Sequence, residues 1–280
     1  MAETEPLYLF IVGTRKYFRF MTFVETYDGG RLWFEVRRGA SHVGLPLLLI
    51  QGRALDHHGW DSAREDFQDR TTILFDHRGT GLSTSSFTPG WSARDFAADI
   101  VTILDAAGFD RVHVYGHSMG GRIAQWLGAE NAERVVALVL GGTSVGDERG
   151  LPRPAGALSA LASGDPQALA ALFYPDAWIA KNPDKVFSVL PAPASPEAAR
   201  IHGAASDRRD GPRLESIRTP TLIVHGTDDR LADPENAEIL GRHIPHATTL
   251  LVPGARHAYW IGDPAPHLQV REFLAAHDED

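Results

Sequence analysis

The stretch "HVYGHSMGGRIAQW" (residues 113–126) reads as a short apolar strand, a Gly-His-Ser-Met-Gly-Gly turn and the start of a helix. A serine hydroxyl is a poor nucleophile until a base takes its proton. A turn this tight strains the backbone at the serine and lifts its side chain to the carboxyl edge of a sheet. The helix that follows aims its first N–H groups at the same spot. Ser118 is therefore the expected nucleophile, and the Met119 N–H one oxyanion donor.

Such a serine needs a base after the last strand and an acid between them in the chain. "VPGARHAYW" supplies His257 just beyond an apolar run, and His257 is the expected base. There are 13 histidines, so most must be unrelated to chemistry. His57 and His58, in a loop near the expected site, are its rivals. His117 should point away from Ser118, His113 and His225 lie in strands, and His243, His246, His267 and His277 read as solvated. "HGTDDRLADP" puts Asp228 and Asp229 directly after a strand. Asp229 is preferred as the acid that orients the imidazole, with Asp228 turning the loop. Asp233 reads as the cap of the helix opening at Pro234.

The strands that must carry these residues are apolar runs bounded by Gly, Pro or Asp. "TFVETYDGGRLWFEV" (22–36) is a hairpin turning at Asp-Gly-Gly. "PLLLIQG" (46–52), "TTILFD" (71–76), "RVHVYG" (111–116), "VVALVLGG" (135–142) and "PTLIVHG" (220–226) are continuously apolar, as buried parallel strands are. "ATTLLVPG" (247–254) completes a set of eight. Helical patterns lie between several of them, with Ser92 and Gly108 placed as the caps of one. The expected fold is α/β, an eight-stranded, mostly parallel sheet flanked by helices.

The alternation breaks between Thr143 and Thr219, where Ala- and Pro-rich helical pieces replace strands. Residues 144–215 are read as a helical cap on a core made of 21–143 and 216–280. Phe173, Trp178 and Phe187 need burial there and, with Trp260, are the candidate substrate contacts. Residues 1–20 are read as an extension, the alternative being an edge strand. "LYLFIVG" is too short to span a bilayer, and no cleavage site of a signal peptide follows it.

With these residues in place, the chain resembles the α/β-hydrolase fold superfamily from about residue 22 to 277, with "DHRGTGLS" (76–83), "GHSMGG", "HGTDD" and "PGARHA" in the family's places. It is similar to small capped bacterial esterases and lactonases, including enol-lactonase and polyketide methylesterase relatives. That resemblance implies a serine nucleophile, a cap after the sixth strand and no cofactor. Many relatives carry His-Gly after the third strand, where this chain has Gln51-Gly52. The Arg53 N–H is then the second oxyanion donor. Its side chain either meets a substrate carboxylate or binds the cap or solvent. In "DHRGTGLS", Arg78 is expected to tie the loop down, and Trp60, Trp91 and Tyr259 are expected in the core or the pocket wall.

Composition narrows the rest. The net charge is −9 with no basic cluster, which points away from nucleic acid and towards a small-molecule substrate. The absence of cysteine excludes disulfides, thiolate metal sites and a cysteine nucleophile, and no metal is expected. A cytoplasmic bacterial enzyme fits the few lysines, many arginines and high Ala, Gly and Pro usage. The expected activity is hydrolysis of a carboxylic ester or lactone through an acyl-enzyme. Alternatives on the same fold are a carbon–carbon bond hydrolase, a perhydrolase or cofactor-free haloperoxidase-like enzyme, and a biosynthetic cyclase. A binding protein retaining the fold is the reading from another class.

Overall fold

The computed structural model describes residues 8–12, 15–39, 44–84, 86–88, 90–186 and 194–279. Its strands are β1 (Tyr8–Val12), β2 (Arg15–Glu25), β3 (Arg31–Arg37), β4 (Leu47–Ile50), β5 (Thr72–Phe75), β6 (Val112–His117), β7 (Val135–Gly141), β8 (Thr221–Gly226) and β9 (Ala247–Val252). They form one sheet in the order β1-β2-β3-β5-β4-β6-β7-β8-β9. The first three pair antiparallel with one another and with β5, and every pair from β5 to β9 is parallel. All eight expected strands are present. The ninth, β1, pairs with residues 15–19 of β2. Residues expected as an extension outside the fold thus include an edge hairpin.

The apolar runs are buried on both faces because alternate side chains leave a strand on opposite sides. Leu48, Ile50, Val114, Leu138, Leu140 and Ile223 join one core, while Leu47, Leu49, Tyr115, Val139, Leu222 and Val224 join the other. The helices are α1 (Asp61–Arg64), α2 (Ala93–Ala107), α3 (Met119–Glu130), α4 (Ala155–Ser163), α5 (Pro166–Phe173), α6 (Asp176–Lys181), α7 (Pro196–Asp207), α8 (Glu235–His243) and α9 (Ala265–Ala275). Helices α2, α3 and α8 fill the first core with Phe96, Ile100, Ile123, Leu127 and Leu240. Helix α9 gives Val270 and Leu274 to the second, beside Trp60 and Phe67. At the start of α2, Asp95 accepts from the Ser92 N–H and hydroxyl at 2.8 and 2.6 Å, and Gly108 ends the helix at φ 74°.

Helices α4–α7 occupy the stretch between β7 and β8. They bury Ala157, Ala170, Leu172, Tyr174, Ala198 and Ala205, which is what keeps an Ala-rich segment folded. Two ties fix them to the loops at the carboxyl edge of the sheet. The Arg256 guanidinium donates to the carbonyls of Ala171 and Tyr174 and pairs with Asp176. On α7, His202 Nε2 donates to the Arg78 carbonyl at 2.8 Å, and its Nδ1 accepts from the Ala54 N–H at 3.2 Å.

The loop after β5 is held from inside. Asp76 accepts the His57 and Leu82 backbone N–H groups. Arg78 is fully buried, bidentate to Asp99 at 2.7 and 2.7 Å, bonded to Asp28 at 2.8 Å, and stacked on Trp91 at 4.3 Å. This is the tie the sequence suggested. Replacing Arg78 by Met leaves two carboxylates facing each other in poor solvent. We expect a loss of about 3–5 kcal/mol, the usual cost of breaking a buried pair, read as a shifted urea midpoint.

Candidate active site

Ser118 sits between β6 and α3 with φ 58° and ψ −119°, a conformation only over-determined surroundings sustain. Its N–H donates to the Gly141 carbonyl at 2.9 Å, and its own carbonyl accepts from Gly121 N–H and the Thr143 hydroxyl. Gly120 makes the turn fit: a Cβ there would lie 2.2 Å from the Ile50 carbonyl oxygen of β4. The same close approach brings the loop after β4 against Ser118, with the site of a Cβ on Gly52 only 3.3 Å from Ser118 Cβ. Among the described residues, neither Met119 N–H nor Arg53 N–H donates a hydrogen bond. Both remain open to an oxyanion. Gln51, where many relatives carry histidine, accepts the Gly52 N–H through Oε1 at 3.0 Å.

His257 Nδ1 lies 2.8 Å from Asp229 Oδ2, and both side chains are buried. Asp229 Oδ1 accepts the N–H groups of Leu231 and Ala232 at 2.8 and 3.0 Å, and Oδ2 also meets His225 Nε2 at 3.2 Å. Burial pushes the carboxyl up, but His257 and His225 outweigh it and hold Asp229 well below the usual carboxylate range. An ionised carboxylate only accepts, so His257 carries its proton on Nδ1 and leaves Nε2 free to take another. His117, next to Ser118, bonds to the His257 carbonyl at 3.0 Å, and the two imidazole centres are 4.7 Å apart. The Ser118 hydroxyl makes no hydrogen bond among the described residues. That last link commonly tightens only when substrate is bound.

The rival histidines are committed elsewhere. His57 Nδ1 is 2.8 Å from Asp76 and its ring lies against Trp33, while exposed His58 bonds Asp61. Neither is among the described residues that line the two cavities beside His117 and Ser118. His267, read as solvated, is instead fully buried, bonded to Asp66 at 2.6 Å and stacked on Trp260, because α9 turns it inward. Asp228 is exposed, and Asp233 caps α8 through the Glu235 N–H at 3.0 Å.

The candidate substrate aromatics separate. Phe173 stands edge-on to the His257 ring at 5.4 Å, and with Trp260 it lines a small cavity of ≈ 40 Å³ behind His117. Trp178 lines neither cavity and packs on Tyr174 and Gly262. Phe187 lies outside the described residues. Trp91 and Tyr259 are core residues, and Trp60 is both core and wall of the small cavity. A larger cavity of ≈ 280 Å³ opens on Ser118 and Met119.

Sequence reasoning missed His225 and His202. His225 carries a signal in hindsight, four residues before Asp229 at the end of a strand. His202 carries none, since its partners are 148 and 124 residues away. Burial lowers His202 to about 4, so it is neutral near pH 7 and its Nδ1 can hold Ala54, which sits at φ 59°. Among the described residues, no group of three or more His, Asp or Glu side chains is arranged to hold a metal ion. No helix there is long and apolar enough to cross a membrane.

Against known proteins, a family described as alpha/beta hydrolase fold matches residues 46–263. A candidate carbamate hydrolase, RutD of Azorhizobium caulinodans, is 32% identical over 252 residues, covering 81% of this chain and 88% of that protein. Its namesake from Pseudomonas savastanoi is 28% identical over 261 residues, covering 88% and 99%. The esterase RhEst1 from Rhodococcus sp. superposes with a TM-score of 0.75 at 26% identity, covering 92% and 99%. An enol-lactonase from Burkholderia xenovorans reaches 0.76 at 22% identity, covering 90% and 99%, which shows the shared fold.

Proposed function

Because this chain belongs to the α/β-hydrolase fold family and is a hydrolase, we propose that it is a serine hydrolase opening a carboxylic ester or lactone through an acyl-enzyme. The observation that carries this reading is the buried Asp229–His257 bond beside a serine held at positive φ. Ser118 Oγ attacks the carbonyl carbon as His257 Nε2 takes its proton. The N–H groups of Met119 and Arg53 receive the oxyanion. Collapse expels the alkoxide, which takes the proton from His257. Water then repeats the sequence on the acyl-enzyme and frees the acid.

A carbamate is the second reading, favoured by the relatives named as candidate carbamate hydrolases. The same steps serve a carbamate carbonyl. A small-molecule substrate is the only partner this mechanism needs, and a cysteine-free chain is suited to the cytoplasm. The test is steady-state turnover of p-nitrophenyl butyrate, together with intact-mass detection of a fluorophosphonate adduct. Turnover and a single adduct on Ser118 support the mechanism. No turnover and no adduct would remove it.

A further inference from the structure

The larger cavity has a charge imbalance that hydrolysis of a neutral ester does not use. Arg122, one turn into α3 from Ser118, is buried and lines it. Its guanidinium bonds to the Ser144 hydroxyl and to the carbonyls of Val145, Gly146 and Arg208. No carboxylate lies within ion-pair distance among the described residues. Burial lowers it to about 10, so it stays charged near neutrality.

Arg153 lines the same cavity and is held loosely. It reaches Asp207 at 3.4 Å and the Leu231 carbonyl at 3.4 Å, and its buried Nε has no partner among the described residues. Arg53 runs from the loop beside Ser118 along α7, where its Nε donates to the Ala199 carbonyl at 3.3 Å. Gly203 makes room for it: a Cβ there would lie 2.6 Å from Arg53 Nη2. Burial and then the charge of Arg153 lower Arg53, and Arg153 also repels Arg122.

The other charges nearby are paired among themselves. Arg149 holds Asp147, Arg208 holds Asp210 and Arg209 holds Glu148, while Asp233 caps α8. Asp207, half exposed, acts on Arg53, Arg122 and Arg153 alike, while Asp210 and Asp147 also offset the charge of Arg122. Arg153 repels both Arg53 and Arg122 and has the half-exposed Asp207 as its carboxylate at ion-pair distance, so its charge is weakly compensated, and the cavity it lines also opens on the candidate nucleophile. Guanidiniums so placed are matched by a planar anion.

We propose that this cavity is an anion subsite, and that the substrate carries a carboxylate bound by Arg153 and by Arg53 at its edge, near the fixed charge of Arg122, while Ser118 attacks its ester carbonyl. The proposal rests on the serine-hydrolase reading. It assigns the side chain of Arg53 to the substrate and its N–H to the oxyanion. Asp207 then competes with the substrate for the same guanidiniums.

The experiment compares mono-p-nitrophenyl glutarate with its neutral isostere, p-nitrophenyl methyl glutarate. The readout is the ratio of their kcat/KM values in wild type, Arg153→Met, Arg53→Met and Asp207→Asn, with folding checked by circular dichroism. Wild type should favour the anionic ester at least about 10-fold. Arg153→Met and Arg53→Met should each lower the ratio roughly 10- to 100-fold, as loss of a charged hydrogen bond does. Asp207→Asn should raise it, a sign that a merely structural role for Asp207 does not produce. A ratio near one in wild type, or one unmoved in both arginine variants, overturns the subsite while leaving the hydrolase reading intact. If neither ester turns over, the hydrolase reading fails and calorimetry with glutarate decides the subsite. Saturable binding lost in Arg153→Met supports it, and no binding overturns it.

Discussion

Ser118→Ala is expected to lower kcat on p-nitrophenyl butyrate by at least about 10³-fold while the protein stays folded. On the proposed mechanism the hydroxyl acts as a unit with its base and acid, so its removal forfeits the whole of nucleophilic catalysis. What survives is attack by water on a substrate still facing Met119 and Arg53 N–H, worth a residual 10³–10⁴ over uncatalysed hydrolysis in comparable enzymes. Folding should survive because the elbow is held by backbone bonds, from Ser118 N–H to Gly141 and from Gly121 N–H and Thr143 to the Ser118 carbonyl. None of these uses the hydroxyl. The strain at φ 58° predicts a second result. Ser118→Gly removes the Cβ that makes this conformation costly, so it should be more stable than Ser118→Ala by about 1–3 kcal/mol, and equally inactive. Initial rates and thermal melts of both variants measure this. An active Ser118→Ala protein would mean that another group attacks the carbonyl.

How far the site could be read from the sequence follows from how each contact is encoded. Ser118, Asp229 and His257 each follow an apolar strand within a few residues, and a parallel sheet brings such positions to one edge. The structure joins Asp229 to His257 for that reason. The five inner strands were legible because continuous aliphatic runs need burial on both faces, and the hairpin through its Asp-Gly-Gly turn. The edge strand β1 was not, because residues 8–12 are as compatible with an unpaired extension as with pairing. The inward turn of His267 was equally hidden, since a lone histidine on a helix gives no sign of which face is buried. The arginine cluster depends on how α7 docks. Arg53 and Asp207 are brought together by the fold of a segment whose short helices and prolines carry little periodic signal. Trp178 shows the same limit, since needing burial does not place an aromatic at the substrate.

Asp229→Asn should cost about 10⁴-fold in kcat with KM little changed, and Asp228→Asn should stay within about twofold of wild type. The asymmetry comes from what each carboxylate accepts. Asp228 is exposed and takes a bond from the Thr227 hydroxyl at 3.0 Å, which an amide oxygen also accepts. Asp229 is surrounded by four donors: Leu231 and Ala232 N–H on one oxygen, His257 Nδ1 and His225 Nε2 on the other. An asparagine offers one acceptor and one donor, so one pair of donors must face an N–H₂. The backbone N–H groups cannot change, whereas an imidazole can shift its proton. The amide nitrogen therefore settles against the histidines, and His257 moves its proton from Nδ1 to Nε2. It then presents an N–H to Ser118 and no longer acts as a base. The mismatch at His225 adds a stability loss of about 1–3 kcal/mol. The pH dependence has a definite sign. The Asp229 carboxyl is lower in the folded than in the unfolded state, so its contribution is present above about pH 4 and fades as pH falls below it. Asp229→Asn lacks that fading. Kinetics and urea titrations at pH 7 and pH 3 on both variants give all three readings, and a more severe defect in Asp228→Asn would move the acid of the site to Asp228.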